Sequence, residues 1–368
     1  MAGYLLILPE ILFIVGALWA LFAEFLPGGD RGSAWVGAAL SAAAGVFAAL
    51  AGVGGESPFG SLLVFDGSAR LARVAIAVLT MAWLLWTAGR GRGRVREAVS
   101  LAFFAAAGAS LMAGTNELIT LLVAVELSTI PGYVLIGYRR HDIRGLEGAL
   151  KYFLLSMLTS LVMLYGFSFL YGLTGTTHYA GLGAASASAL GILGLLLALI
   201  GMFAKLSAAP FHYWTPDAYA GADAWSVAFV STVPKVAGGV AIVRLVAAIA
   251  PNGATGGALL LVIAAVSMVL GNLGALTQTD VRRLMAYSGV AHTGYLLLGV
   301  AALSDNGFTA AIFYAVAYAA PSMAIMLVAA EEGSRVDSFN GLAQRRPAAA
   351  WSVVLLLLSL IGIPPLAG

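Results

Sequence analysis

Twelve windows of about twenty apolar residues follow one another along the chain, near 4–26, 34–54, 67–88, 98–113, 117–138, 147–173, 187–209, 224–249, 257–279, 284–303, 309–330 and 348–368. About twenty apolar residues in a helix cross the hydrocarbon core of a bilayer. Inside that core every backbone N–H and C=O must find a partner, which a helix supplies from within itself. The windows therefore predict an all-α polytopic membrane protein. Composition agrees, because only 10% of the residues are charged, against about 25% in a soluble domain. The formal charge of +2, without a basic patch, gives no reason to expect a nucleic-acid partner. Cysteine is absent, which removes disulfides, thiolate metal sites and iron–sulfur ligation. Four scattered histidines form no metal cluster. The first window holds Glu10 and Glu24 and lacks a basic start and a small-residue cleavage site. It reads as a retained helix, not a signal peptide, with both glutamates at the interface.

The loops set the orientation. Alternate loops hold Arg31; Arg90, Arg92, Arg94 and Arg96; Arg139, Arg140 and Arg144; Arg282 and Arg283; and Arg335, Arg345 and Arg346. The opposite loops and their margins hold only Arg70 and Arg73. Lys and Arg concentrate on the cytoplasmic side, so the N-terminus is expected outside the cytoplasm.

The other basic residues, Lys151, Lys205, Lys235 and Arg244, lie within or at the edge of apolar windows and include every lysine of the chain. A charge at the bilayer centre costs at least about 2.5–3.5 kcal/mol, so such residues pair, face water, or both. Glu126 and the three lysines come from four consecutive spans, five to eight. Lys151, near Arg144, also fits snorkelling to the interface. Glu126 also fits a structural hydrogen-bond role, and Arg244 an interfacial or structural charge.

Prolines accompany the charges. Pro210 lacks an N–H, so the Leu206 carbonyl loses its helical partner one residue after Lys205. Pro234 frees the Val230 carbonyl near Lys235, and Pro131 that of Leu127 beside Glu126. A freed carbonyl in lipid needs water, a side chain or another helix, which predicts small hydrated pockets beside the charges. The plainer reading of Pro210 is a helix end before a loop. A second break, GIPPLAG with Pro364 and Pro365, falls five spans later. Matching interrupted spans point to inverted repeats with sites at the breaks. Spans four to eight would form one unit and the spans from nine onward a second, oppositely oriented one. His292 is the main polar candidate of the second unit, as a proton relay or as a satisfied core histidine. His212, just past the first break, is a candidate for proton exchange with water, whereas His141 and His178 carry no expected role. Because the last window ends at its break, the native protein is expected to continue further.

The stretches ELSTIPGYVLIGYRR, EGALKYFLLSMLTSLVMLYG, KLSAAPFHYWTPDAYAGADAWSVAFVSTVPKVAG and NLGALTQTDVRRLMAYSGVAHTGYLLLG resemble the antiporter-like N subunits of proton-pumping NADH:quinone oxidoreductase, respiratory complex I. ALKYFLL and PFHYWTPDAY are the most specific. The resemblance covers nearly all of the chain from about residue 100, and LPEILFIVGAL near the N-terminus also fits. It implies a fourteen-helix antiporter-like fold with two inverted five-helix repeats and discontinuous helices seven and twelve, the chain ending within helix twelve. Helices one to three would occupy residues 1–97, the first repeat 98–250 and the incomplete second repeat 251–368. Pro321, inside the eleventh span, is an unexpected proline. The resemblance further implies a non-redox, proton-translocating subunit of the oxidoreductase, packed against other membrane-arm subunits in a bacterial inner (plasma) membrane. Flavin, iron–sulfur and quinone sites would belong to partner subunits, with no cofactor in this chain. The family's proton path maps onto Glu126, Lys151, Lys205 and Lys235, with His212 and His292 in support.

Burial disfavours a charged amine and a nearby carboxylate restores it. The expected switch is Glu126 holding Lys151 protonated, then withdrawing so that the proton moves toward Lys205 and Lys235. A change of three decades in proton affinity is worth about 4 kcal/mol, against about 2.3 kcal/mol to carry one charge across 100 mV. Two other readings compete. A stand-alone or Mrp-type cation/proton antiporter subunit would share the lysines and the breaks but work without a redox partner. A scaffold that moves nothing would tolerate neutral residues at all three lysines.

Overall fold

In the computed structural model the described residues are 2–22, 29–52, 54, 59–90, 95–249, 254–364 and 366. Glu24, Arg92, Arg94 and Pro365 lie outside them. Fifteen α-helices account for most of the described chain, and no strand forms among the described residues. In chain order they are α1 Leu8–Phe22, α2 Gly29–Leu50, α3 Gly67–Arg90, α4 Arg96–Ala113, α5 Leu118–Ile136, α6 Ile143–Thr174, α7 Ala189–Leu206, α8 Trp214–Gly221, α9 Ala224–Val230, α10 Val233–Ile249, α11 Ala254–Leu276, α12 Val281–Ala301, α13 Asp305–Glu332, α14 Leu342–Arg345 and α15 Pro347–Ile361.

Eleven apolar segments among the described residues are long enough to cross a membrane. They coincide with the first eleven windows read from the sequence. The twelfth window yields only the fifteen-residue α15, which stops at Gly362 in the left-handed conformation (φ 83°), just before Pro364. Two windows are interrupted. In the seventh, α7 stops before Ser207 (φ 63°) and the short α8 follows outside the apolar window, and the eighth divides at Ser231–Thr232 into α9 and α10. By contrast α5 runs unbroken through Pro131 and α13 through Pro321.

Polar caps mark where the chain re-enters the apolar layer. The Glu117 carboxylate accepts from the Thr120 N–H at 2.5 Å, Ser188 Oγ from Gly191 at 3.0 Å, and Asp280 from Arg282 at 2.8 Å. Each satisfies an N–H that the first turn leaves without a partner.

Small residues let neighbouring helices close on each other. A Cβ built on Gly108 of α4 would stand 2.4 Å from the Ser128 nitrogen of α5, and one on Gly166 of α6 would stand 2.5 Å from the Ala198 nitrogen of α7. Such contacts replace the hydrophobic drive that lipid cannot provide between helices. Leu150, Leu154, Leu158 and Leu161 line an exposed flank of α6, a face suited to lipid or to another membrane subunit.

α10 lies at the centre, packed against α3, α4, α7, α12 and α13. From Val233 to Val243 every residue but Pro234 is buried. Its lysine, Lys235, therefore sits among protein rather than beside lipid.

The N-terminal helices hold a correction. Glu10 and Arg73 are both buried, with Arg73 Nη2 2.9 Å from Glu10 Oε1. Ser110 Oγ donates to the same oxygen at 2.6 Å, and the guanidinium stacks 4.5 Å from the Phe65 ring centre. Glu10 is thus no interfacial charge and Arg73 no marginal loop residue. The pair ties α1, α3 and α4 together because packing brings two charges of opposite sign to one desolvated point. Arg244 fits its structural reading: Nη2 donates to Asp66 at 2.6 Å and Nε to the Ala113 carbonyl at 3.0 Å.

Candidate functional site

Lys205 occupies the last turn of α7, one residue before its last, Leu206. All three hydrogens of its ammonium have acceptors. One goes to Glu126 Oε1 at 3.3 Å, one to Thr129 Oγ1 at 3.5 Å and one to Ser156 Oγ. Ser160 Oγ donates to the same Glu126 oxygen at 2.5 Å. Glu126 and Thr129 are three apart on α5, and Ser156 and Ser160 four apart on α6, so each pair shares one helix face. The lysine side chain is 5% exposed and the glutamate 20%. A buried ion pair of this kind, closed by hydroxyls, meets the requirement that intramembrane charges be compensated.

The break after Lys205 is closed by side chains from other helices. Thr293 Oγ1 of α12 donates to the freed Leu206 carbonyl at 2.6 Å. Trp214 Nε1 donates to the Ala204 carbonyl at 3.1 Å, and Thr215 Oγ1 to Ser207 Oγ at 2.8 Å. The Ala209 N–H finds Ser267 Oγ of α11 at 2.9 Å. Of the partners expected for the freed Leu206 carbonyl, namely water, a side chain or another helix, the structure supplies a side chain, from α12.

Lys235 stands one residue after Pro234, near the second interruption. Its Nζ donates to the Gly289 carbonyl at 3.3 Å and lies 5.8 Å from the Tyr318 ring centre. Among the described residues no carboxylate pairs with it. A cavity of about 20 Å³ adjoins it, lined by Leu206, His292, Thr293, Tyr314 and Tyr318 among others. That is room for one water molecule. His292 Nδ1 makes a 2.6 Å hydrogen bond with the Tyr314 hydroxyl, and its ring centre is 4.6 Å from that of Tyr318. Lys235 and His292 are thus brought together, while Lys205 lies across the break from them.

Lys151 is placed elsewhere, which corrects the expected Glu126–Lys151 pairing. Its Nζ is 2.7 Å from Glu147 Oε1 and 2.8 Å from Asp217 Oδ2, with the side chain 45% exposed. Lys151 is five residues before Ser156, so it points about 140° around α6 from the face that meets Glu126. Asp217 also takes Arg283 at 2.9 Å. Partial burial raises the Asp217 carboxyl, but the Lys151 and Arg283 contacts outweigh it and hold it below the usual carboxylate range. Arg144, Glu147, Lys151, Asp217, Arg282 and Arg283 line an open pocket of about 350 Å³.

His212 lies between α7 and α8, its ring 5.2 Å from that of Tyr213, and it hydrogen-bonds to none of the three lysines. Its Nδ1 is buried and without a hydrogen-bond partner. Pro210 and Pro234 flank the two interruptions, and Pro364 follows the end of α15. Among the described residues no three His, Cys, Asp or Glu side chains cluster as a metal site would require.

Sequence reasoning passed over Asp217, Thr129, Ser156, Ser160 and Thr293. The first was readable within PFHYWTPDAY as a carboxylate near a break. The serines were readable as an i, i+4 pair on the span that follows Glu126. Thr293 offered no signal, because its partner carbonyl lies 87 residues away.

Interrupted apolar helices around two buried amines, Lys205 paired with Glu126 and Lys235 on a backbone carbonyl, define a polytopic membrane protein of antiporter-like fold. The family model for the transmembrane region of NADH:quinone oxidoreductase/Mrp antiporter proteins matches residues 115–368. The NADH-quinone oxidoreductase subunit N of Sphingopyxis alaskensis is 37% identical over all of this chain and 80% of its own length. Subunit N of Rubrobacter xylanophilus is 36% identical over all of the chain and 79% of its own. The chain belongs to the NADH:quinone oxidoreductase/Mrp antiporter transmembrane family, and its similarity is to the N subunits within it. Among solved structures, a chain of Thermus thermophilus respiratory complex I with bound aureothin superposes with a TM-score of 0.85 at 32% identity, over 98% of this chain and 80% of that one. A chain of the Mrp complex from Dietzia sp. DQ12-45-1b superposes at 0.86 with 23% identity, over 99% and 72%, a likeness of fold alone.

Proposed function

We propose that this chain is a proton-translocating N subunit of an NADH:quinone oxidoreductase, driven by redox chemistry in other subunits. The observation that carries this reading is the Glu126–Lys205 pair at 3.3 Å, held at the break of α7. Idle charges in a bilayer are costly, and this pair sits where a freed backbone supplies polar contacts. Identity of 37% to an N subunit against 23% to the Mrp chain favours this assignment over the stand-alone or Mrp-type antiporter. Residues 1–97 form the leading helices, 98–250 the first repeat and 251–368 the second. The subunit packs against other membrane-arm subunits in a bacterial inner membrane, with its N-terminus outside the cytoplasm. Flavin, iron–sulfur and quinone sites belong to its partners.

The switch differs from the one expected from sequence. Glu126 compensates Lys205 rather than Lys151. Moving the carboxylate away would leave the ammonium uncompensated within the membrane, and the amine would release its proton toward Lys235 and His292. Lys151, Glu147, Asp217 and Arg283 form the charged mouth from which the α7 break is reloaded, with His212 along that approach.

The test is Lys205→Met and Lys205→Arg in the intact oxidoreductase, reconstituted in vesicles. Arginine keeps the charge and a partner for Glu126 but does not give up its proton. Both variants assemble, and proton uptake or release per NADH falls at least about tenfold. Full pumping by either variant would remove Lys205 from the path.

A further inference from the structure

Thr293 stands between the two halves of the site. Its hydroxyl oxygen is 2.6 Å from the Leu206 carbonyl, freed by Pro210, and 2.8 Å from the Gly289 carbonyl of its own helix. A hydroxyl has one hydrogen to donate. It therefore serves one of these carbonyls at a time. The Gly289 carbonyl is also the acceptor of Lys235, at 3.3 Å. Glycine is needed there for that approach, since a Cβ on residue 289 would stand 2.6 Å from Lys235 Nζ. Leu206, Thr293 and Lys235 all line the cavity of about 20 Å³, large enough for one water.

Two arrangements follow. With the Lys235 ammonium donating to Gly289, the threonine hydrogen is free for Leu206 and the break is closed. A neutral Lys235 amine still carries hydrogens but is a weaker donor than the ammonium, so the Gly289 carbonyl then draws the Thr293 hydrogen, as in ordinary helical back-bonding. The Leu206 carbonyl, one residue from Lys205, is then left to a water in the cavity.

We propose that Thr293 is a positioning residue whose single hydroxyl hydrogen alternates between the Leu206 and Gly289 carbonyls, so that the protonation of Lys235 decides whether the break beside Lys205 admits a proton-carrying water. This rests on the proton-translocating reading above. The switch itself changes only hydrogen bonds; the proton that then crosses leaves an N–H bond of the Lys205 ammonium, passes through the water and forms an N–H bond on the Lys235 amine, which closes the break again.

Thr293→Val removes the donor and holds the break open. The intact oxidoreductase in vesicles is given a pH gradient without NADH, and its passive proton leak is measured. It is then given NADH, and protons moved per NADH are counted. Relative to the parent, Thr293→Val raises the leak about tenfold, the weight of one hydrogen bond in an equilibrium, and lowers the ratio. Thr293→Ser, which keeps the hydroxyl, restores both to parental values. Thr293→Ala repeats the test with a smaller side chain and decides it where the valine variant does not assemble. Parental leak and ratio in an assembled Val or Ala variant would overturn the proposal, as would a leak unchanged while only assembly falls. If Lys205→Met abolishes pumping while the Thr293 variants behave as the parent, only this inference fails. If Lys205→Met pumps fully, the functional reading fails first.

Discussion

Glu126 and Lys205, 79 residues apart in sequence, meet at 3.3 Å with hydroxyls of two helices closing the contact. Removing one partner of a buried ion pair leaves the other uncompensated, at a cost of about 3–5 kcal/mol. Glu126→Gln is therefore expected to lower protons moved per NADH by more than about tenfold. Glu126→Asp, which keeps the charge with a shorter reach, retains part of the activity. Equal ratios in the parent and the glutamine variant, measured by pH-dye uptake alongside NADH oxidation, would detach the pair from pumping.

Asp217 bridges Lys151 of α6 and Arg283 of α12. Its carboxyl lies below the usual range in the folded chain. The stabilisation is thus present above the unfolded carboxylate value near about 3.9 and is lost as pH falls through the lower folded value. Between about pH 5 and 7 this contact contributes no pH dependence, and below about pH 4 it weakens. Thermal unfolding of the solubilised complex against pH checks this. Asp217→Asn shows a shallower acid decline than the parent, and superimposable curves would contradict the assignment.

The buried Glu10–Arg73 pair, at 2.9 Å, predicts a non-additive pair of substitutions. Glu10→Gln or Arg73→Met alone costs about 3–5 kcal/mol of stability, whereas the double substitution costs less than either, because no buried charge is then left alone. A double-mutant cycle on detergent-solubilised protein measures the coupling. Additive losses would mean the two side chains act independently.

Gly108 presses on the backbone of α5, where a Cβ would approach Ser128 N at 2.4 Å, while nothing lies within 4 Å of a Cβ on Gly172. Gly108→Ala is expected to destabilise by about 1–3 kcal/mol through overpacking. Gly172→Ala instead gains up to about 1 kcal/mol from helix propensity. Comparing the two by thermal unfolding separates packing from propensity, and a neutral Gly108→Ala would refute the close approach.

The amino-acid sequence alone determined the solvent, the secondary structure and most of the spans. Hydrocarbon allows a chain this apolar only one way to pair its backbone, so length and hydropathy suffice. It also marked Pro210 as a candidate interruption after α7, because proline removes a donor wherever it sits in space. Pro131 had the same local chemistry, yet α5 runs through it; proline alone does not fix a break when the neighbouring helices hold the rest in register. Glu126, Lys205, Lys235 and His292 were legible as polar residues too costly to be idle. Their partners were not. Only the tertiary structure joined Glu126 to Lys205 instead of Lys151, set Asp217 between two helices, buried Glu10 with Arg73 and brought Thr293 onto the Leu206 carbonyl. Pairing depends on which helix faces meet, and that is decided by packing between residues far apart in the chain, whereas crossing the bilayer is decided by each segment for itself.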